Sequence, residues 1–322
     1  MSLNLGVLNV AYGEVFFNCY HSVMLLSFGW QNDGKGWLLC NYLDESMIVG
    51  IVGLGLIGGS AAKAFKLAGH TIYAFDINRP IVDYAQLEGT IDAELSTENL
   101  GKCNLLLLTA TPKAVLSYIG ENAKYVSPNA LVIDFCGTKR AVCEKGFALA
   151  AEYGFTYVGG HPMAGLQYSG YKYSKATLYN GASFIIVPAV HDDIALLDSV
   201  KQSLQPLGFK KFVVTTADFH DRMIAYTSQM CHVVSNAFIK SPSAKFHRGY
   251  SAGSFRDFTR VSRLNEDMWT ELFLENKEHL LNELDLLINS LHEYRQAIDA
   301  EDADTLRGLL RDGRVAKEEA EK

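Results

Sequence analysis

The chain has 322 residues, of which 48% are hydrophobic and 20% charged, with a formal net charge of −7. At about 100–200 residues per domain, that length predicts two domains with enough apolar mass for packed cores. The acidic balance argues against nucleic acid or an anionic membrane as partner, and no apolar run is long enough to span a bilayer.

Residues 1–46 carry Phe16, Phe17, Trp30 and Trp37 without a clear period. The stretch His21 to Leu26 has the apolar look of a signal peptide, but it is short and lacks a basic start. Met47 reads as a natural start, because a strand begins there at once. The expectation is an N-terminal extension of unclear role: a leader, an appended remnant or a misassigned start. The alternative is a strand or flap with a function of its own.

Residues 47–60 are Met-Ile-Val-Gly-Ile-Val-Gly-Leu-Gly-Leu-Ile-Gly-Gly-Ser. The apolar run Ile48 to Val52 reads as a buried strand that enters Gly53-x-Gly55-x-x-Gly58. A helix follows, with Ile57, Ala61, Ala64, Phe65 and Ala68 on one face and Gly69 as its stop. A second strand, Thr71 to Phe75, ends on Asp76. In a dinucleotide site the first glycine permits a tight turn, the second lets backbone approach a pyrophosphate, and the third lets helix and strand pack closely. The first-turn N–H groups at Leu56 and Ile57 and the helix dipole favour phosphate. Asp76, about 20 residues on, is placed for the adenosine ribose hydroxyls. Its charge predicts NAD over NADP, softened by the nearby Arg79.

Arg79-Pro80 opens a helix through Leu87. Asn104 to Ala110 is a continuous apolar strand, as parallel sheets require, and it ends at Thr111-Pro112, where ligands collect. A helix runs to Tyr125. Ala130 to Asp134 is the next strand, ending in Asp134-Phe135-Cys136-Gly137-Thr138-Lys139, and another helix runs to about Tyr153. Phe155 to Val158 is a short strand ending in Gly159-Gly160-His161-Pro162-Met163-Ala164-Gly165. After a Tyr-rich loop over 166–181, Ser183 to Val187 and Lys211 to Val214 read as strands flanking the helix Asp192 to Leu204.

The strand pattern then stops. Ala217 to Ile239 is helical, 240–265 is irregular, and one long helix is predicted over about 266–299. In it Leu280, Leu284, Leu287, Leu291, Tyr294 and Ile298 alternate spacings of four and three, a coiled-coil-like seam that suggests a subunit contact. The tail after Asp312 is charged and expected to fray. The fold class is therefore α/β: a doubly wound, Rossmann-type domain over 47–214, then an all-α domain over 215–312. Six cysteines (Cys19, Cys40, Cys103, Cys136, Cys143 and Cys231) form no C-x-x-C pair and read as reduced thiols of a cytoplasmic protein.

His161 ends a sheet strand on the side where a cofactor should lie. There it either accepts a proton from a substrate hydroxyl as hydride leaves, or only orders the loop. Arg256 and Arg260 lie beside aromatics and suit bidentate carboxylate binding, although surface arginines are usually just solvated. His232 alone would be read as a satisfied helix histidine.

Five blocks together resemble one family. They are Gly53-Leu54-Gly55-Leu56-Ile57-Gly58-Gly59-Ser60; Gly160-His161-Pro162-Met163-Ala164-Gly165; Ser228-Gln229-Met230-Cys231-His232; Phe255-Arg256-Asp257-Phe258-Thr259-Arg260; and Met268-Trp269-x-x-Leu272-Phe273-x-x-Asn276-Lys277. From Met47 to about residue 310, in motif order, the chain resembles the prephenate/arogenate dehydrogenases of tyrosine biosynthesis. The resemblance implies NAD as cofactor, hydride transfer from prephenate, loss of carbon dioxide and formation of 4-hydroxyphenylpyruvate. It implies that His161 is the catalytic base, that Arg260 and His232 bind substrate, that Arg256 and Trp269 line the cleft, and that the helical domain forms a homodimer. Thr111 and Thr138 fall at strand ends beside the cofactor.

Two positions depart from the family pattern. Gly137 stands where many members have serine, with the Thr138 hydroxyl one residue on, and Gln167 stands where some carry an acid. The motifs do not separate prephenate from arogenate. A non-catalytic NAD-sensing protein is the alternative of another class, and the intact His161 and Arg260 stand against it. With no mutase domain before Met47 and no ACT domain after 312, the expectation is a monofunctional enzyme.

Overall fold

A computed structural model describes residues 46–322 in full and, before them, only the backbone of three strands. These strands, β1 (Gly13–Cys19), β2 (Ser22–Trp30) and β3 (Gly36–Tyr42), pair antiparallel in sequence order. They belong to a separate compact unit, Met1–Met47. The predicted extension thus contains a β-meander; its aromatic side chains and its role lie outside the described residues.

The second unit, Ile48–Lys322, is built on an eight-stranded sheet. Its strands are β4 (Ile48–Val52), β5 (Thr71–Phe75), β6 (Ala93–Glu94), β7 (Leu105–Leu108), β8 (Leu131–Asp134), β9 (Thr156–Pro162), β10 (Ser183–Val187) and β11 (Lys211–Val214), in the order β11-β10-β9-β8-β7-β4-β5-β6. From β6 to β9 all neighbours run parallel; β10 turns antiparallel to β9 and β11 follows it in parallel. The central strands are buried on both faces, which is why β7 is four leucines and β8 is Leu-Val-Ile-Asp. Helices α1 (Leu56–Leu67), α2 (Arg79–Leu87), α3 (Pro112–Asn122), α4 (Arg140–Tyr153) and α5 (Ile194–Ser203) connect the strands.

Strand β9 is longer than predicted. The Gly-Gly-His-Pro segment was expected to leave the sheet, but β10 returns beside it and pairs Ile185 with His161 and Phe184 with Pro162. Its two glycines leave no room for side chains: a Cβ on Gly160 would meet Asp134 O at 2.6 Å and one on Gly159 would meet Cys143 Sγ at 2.4 Å. His161 is therefore fixed by its ladder to β10 rather than carried on a loop, the pairing with β8 ending two residues earlier at Gly159.

The helical part departs from expectation in four places. The segment predicted as one helix over 217–239 is α6 (Ala217–Ile224), a π-helical turn (Ala225–Met230) and α7 (Cys231–Phe238). The irregular stretch 240–265 contains α8 (Gly253–Thr259). The long helix breaks at Asn276 into α9 (Glu266–Glu275) and α10 (Lys277–Asp299), because Asn276 turns inward and bonds the Asp221 carbonyl and the Gln229 side chain. The tail does not fray at 313: α11 (Ala303–Ala320) is continuous, capped by Asp302 and laced by Arg314–Glu318 and Lys317–Glu321 pairs.

The predicted seam on α10 is divided. Leu280 is buried and Tyr294 bonds the Leu309 carbonyl of α11, whereas Leu291 and Ile298 are exposed together with Leu281 and Ile288. No described helix is long and apolar enough to cross a membrane.

Candidate active site

The glycine turn between β4 and α1 has the form a nucleotide cradle needs. Gly53 has φ +96° and its N–H bonds the Phe75 carbonyl, which ties the turn to β5. A Cβ on Gly58 would lie 1.8 Å from the Gly53 carbonyl oxygen and 2.3 Å from Thr109 Oγ1, so helix and strand can meet only without a side chain there. A Cβ on Gly55 would meet nothing within 4 Å: that side is open. No side chain caps the start of α1 and its first turn holds no acid, leaving its N–H groups for an anion.

Asp76 Oδ2 accepts from Leu54 N at 2.7 Å and Oδ1 from Asn78 N at 2.8 Å, which fixes the carboxylate beside the turn. Ile57 is held from behind, its carbonyl accepting from Tyr179 Oη at 2.6 Å, and Leu56 is buried. These residues fit a dinucleotide. Arg79 is engaged elsewhere, with Asp83 at 2.9 Å and with Glu94.

Thr111 precedes α3 but its hydroxyl does not cap it; Glu271 of α9 takes the Lys113 N–H at 2.7 Å instead. The Thr138 hydroxyl donates to Glu275 Oε2 at 2.6 Å, so its proton ties the two domains together and only its lone pairs remain for other partners. Burial first, and the neighbouring Glu271 and Asp221 charges, raise the Glu275 pKa. Leu272, on the same helix, lies 3.3 Å from where a Cβ on Gly137 would stand. The helix that covers this turn therefore accounts for glycine at that position.

At the end of β9, His161 Nδ1 lies 2.8 Å from His220 Nε2 on α6, and His220 Nδ1 lies 2.7 Å from Asp221 Oδ1. Asp221 also accepts from Lys139 N at 2.7 Å and Arg140 N at 3.0 Å, at the start of α4. Burial alone would raise its pKa, but His220 and these N–H groups outweigh that and lower it. Such a carboxylate only accepts, so His220 carries its proton on Nδ1 and its Nε2 is a lone pair. His161 must then donate from Nδ1, which leaves its Nε2 as the basic atom. Burial first, then His220 and Lys139, holds the His161 pKa well below the usual value.

A second cluster lies on α7. His232 donates from Nδ1 to the Val261 carbonyl at 3.0 Å, Ser235 bonds the Phe258 carbonyl at 2.7 Å, and Asn236 bonds the Ser262 carbonyl at 3.0 Å. These bonds fasten the segment bearing Arg260 to the helix, and Trp269 packs on the His232 ring at a centroid distance of 3.9 Å. Burial chiefly, and then the Arg260 charge, lowers the His232 pKa. Arg260 is exposed, as is Arg256 one turn earlier, and among the described residues neither guanidinium has an ion-pair partner. The structure thus gathers His161 with His220 and Asp221, and His232 with Arg260 and Trp269. Arg256 joins neither group by a described contact.

Comparison with known proteins decides the family. Residues 61–213 match the prephenate dehydrogenase nucleotide-binding domain and 216–312 the prephenate dehydrogenase dimerization domain. The prephenate dehydrogenase of Bacillus subtilis is 30% identical over 277 residues, 83% of this chain and 73% of that protein. The chain belongs to the prephenate dehydrogenase family. Among solved structures, prephenate dehydrogenase from Aquifex aeolicus with hydroxyphenyl propionate and NAD+ is similar at TM-score 0.71 and 28% identity, covering 86% of this chain and 99% of that one. Synechocystis arogenate dehydrogenase is similar at TM-score 0.70 and 25% identity, over 85% and 100%. The protein is thus a dehydrogenase with a Rossmann-type nucleotide-binding domain followed by a helical one.

Sequence reasoning did not single out His220, Asp221, Lys139, Gln229 or the α9 acids. A signal was present. Positions 220, 224, 228 and 232 are each four apart, and 221, 225 and 229 likewise; all but two of these seven are buried, and those two, 228 and 232, are partly so. In a straight α-helix such a line drifts by about 40° per step. The π turn absorbs that drift, placing both histidines on one side of the helix.

Proposed function

We propose that the enzyme is an NAD-dependent prephenate dehydrogenase that forms 4-hydroxyphenylpyruvate by oxidative decarboxylation. NAD, when bound, accepts the hydride from the ring carbon bearing the hydroxyl. Gly53, Gly55, Gly58 and the N–H groups of Leu56 and Ile57 would hold its pyrophosphate, and Asp76 its adenosine ribose. His161 Nε2 takes the hydroxyl proton as the hydride departs. His220 and Asp221 fix the tautomer that makes this possible and stabilise the imidazolium that results. The ring carboxylate leaves as carbon dioxide, and aromatisation drives the step.

Arg260 holds a substrate carboxylate, with His232 and Trp269 beside it. Arogenate carries an ammonium in place of the keto group, and two unpaired arginines at 256 and 260 offer it no partner; this favours prephenate. Similarity to an arogenate dehydrogenase supports arogenate as the second reading. The exposed line Leu281, Ile288, Leu291 and Ile298 on α10, within the region matching a dimerization domain, supports pairing of two copies.

The observation that carries this reading is the chain from Asp221 through His220 to His161, which leaves one basic nitrogen at a strand end. His161→Asn should remove most turnover and leave NAD binding intact; unchanged turnover refutes the role. Steady-state rates with both substrates decide between them, and a strong arogenate preference overturns the first choice.

A further inference from the structure

Lys139 is the one lysine with no exposed surface among the described residues, and no step of the proposed reaction uses it. Its ammonium pairs with Asp134 at the end of β8 and donates to the Gly160 carbonyl at 2.7 Å, the peptide directly before His161. Asp134 is held in turn by Tyr157 Oη at 2.8 Å, from within β9, and by Cys136 N at 3.0 Å. Lys139 also donates its backbone N–H to Asp221 Oδ1 at 2.7 Å. One residue therefore grips the strand that carries His161 and the carboxylate at the far end of the hydrogen-bond chain.

We propose that Lys139 is a positioning residue for the catalytic base, fixing His161 through the Gly160 carbonyl and Asp221 through its own N–H. The inference rests on His161 being the base. A buried ammonium is costly unless paired and hydrogen-bonded, and a glycine carbonyl next to the base is a specific place to spend one. An aliphatic side chain of similar size would pack among Tyr157, Cys136 and Cys143 at lower desolvation cost, yet would leave the Gly160 carbonyl unbound and Asp134 unpaired. The position also sets the charge around the base. The groups facing His161 are His220 and Lys139, with Asp134 and Asp221 behind them; burial does most to hold the imidazole neutral, and His220 and then the Lys139 charge add to it. Burial works against that cation, but Asp134 outweighs it and raises the lysine pKa.

The test is Lys139→Met combined with Asp134→Asn, which removes both buried charges together, alongside the Lys139→Met single variant and a His161→Asn control. NAD titration counts folded sites, so kcat is expressed per NAD-binding site. The expected result for the double variant is NAD affinity within about threefold of the parent and kcat lowered by about 100-fold, as for a misplaced catalytic group; in the Lys139→Met single variant, which keeps Asp134, the acid limb of the kcat–pH profile moves to higher pH. The limb moves up because loss of a nearby cation makes the imidazole more basic. A purely structural role would lower the melting temperature and the site count without moving that limb. Parental kcat per site with an unmoved limb overturns the proposal. If instead His161→Asn retains turnover, it is the assignment of the base that fails.

Discussion

His161 Nδ1 and His220 Nε2 lie 2.8 Å apart, joined by one proton that only His161 can supply. The direction of that bond is set one residue further on, where Asp221 accepts the His220 Nδ1 proton. The tautomer of His161 is thus decided on the helical domain although His161 itself stands on the sheet. Asp221 is oriented by the first N–H groups of α4, so its geometry belongs to the nucleotide-binding domain again.

Asp221→Asn tests this directly. The amide can turn its NH2 to His220 Nδ1, which reverses the chain and leaves a proton on His161 Nε2. Turnover should fall by about 10²- to 10⁴-fold, the usual worth of a positioned base, while NAD affinity measured by fluorescence stays near the parent value. The substitution also weakens the cap of α4, at about 1 kcal/mol. A variant that keeps kcat within about threefold would sink the relay.

The pH dependence follows from the same groups. As the proposed base, His161 must be neutral to act, and burial, His220 and Lys139 hold its pKa well below normal. Turnover should therefore persist below pH 6.5, the ordinary histidine value being about 6.5. Stability has the matching sign. His161, His220 and His232 all have lowered pKa values in the folded state, so the unfolded chain binds more protons once the pH drops below about 6.5. Stability is present above that pH and is lost as pH falls toward the folded-state values. Melting temperature against pH measures this, and His161→Asn should flatten the slope. An acid limb of kcat above pH 7 contradicts the assignment.

The two glycines of the nucleotide turn should separate fold from cofactor. Gly58→Ala puts a methyl into the Gly53 carbonyl, and backbone must move. The expected cost is about 1–3 kcal/mol of stability, read as a lower melting temperature, together with weaker NAD binding. Gly55→Val adds a side chain where the protein has nothing within 4 Å. Its melting temperature should stay near that of the parent while the KM for NAD rises by at least about tenfold, as a lost close contact worth about 1.4 kcal/mol implies. Tight NAD binding by Gly55→Val would place the pyrophosphate elsewhere.

Much of this was legible in the residues. The glycine turn, the all-apolar strands of a doubly buried sheet and the helical second half follow from periods and turn chemistry that act over a few positions. What escaped was set by distant partners. The sequence at 159–162 reads as a loop because two glycines and a proline disfavour strand, yet β10 captures it. The line of buried residues at 220, 224, 228 and 232 fits a helix only if one turn is widened, and Gln229 and Asn276, 47 positions apart, meet across that turn. Asn276 looks like any helix-interior asparagine until its two inward bonds are seen to break the helix. Lys139 closes a motif in the sequence, but nothing local says that its ammonium is buried.

Cofactor choice turns on Asp76 and Arg79, and the geometry changes the weight of each. An arginine three residues after Asp76, the proposed ribose-binding acid, could greet a 2′-phosphate, which would blur the preference for NAD. Here both sides of its guanidinium are taken, by Asp83 within α2 and by Glu94 at the end of β6. Hydrogen bonds to those two carboxylates also raise its pKa. These pairs are exposed and weak individually, but together they occupy the guanidinium. The parent enzyme should therefore prefer NAD strongly, judged by kcat/KM for the two cofactors. Asp76→Ser alone should relax the preference by removing the repelling charge, with Arg79 still engaged. Adding Asp83→Asn and Glu94→Gln should release the guanidinium and raise kcat/KM with NADP by about a further tenfold, the worth of one freed charge-assisted contact of about 1.5 kcal/mol. Equal use of NAD and NADP by the parent would show that Arg79 leaves its partners readily, and that the acid at 76 does not exclude the phosphate.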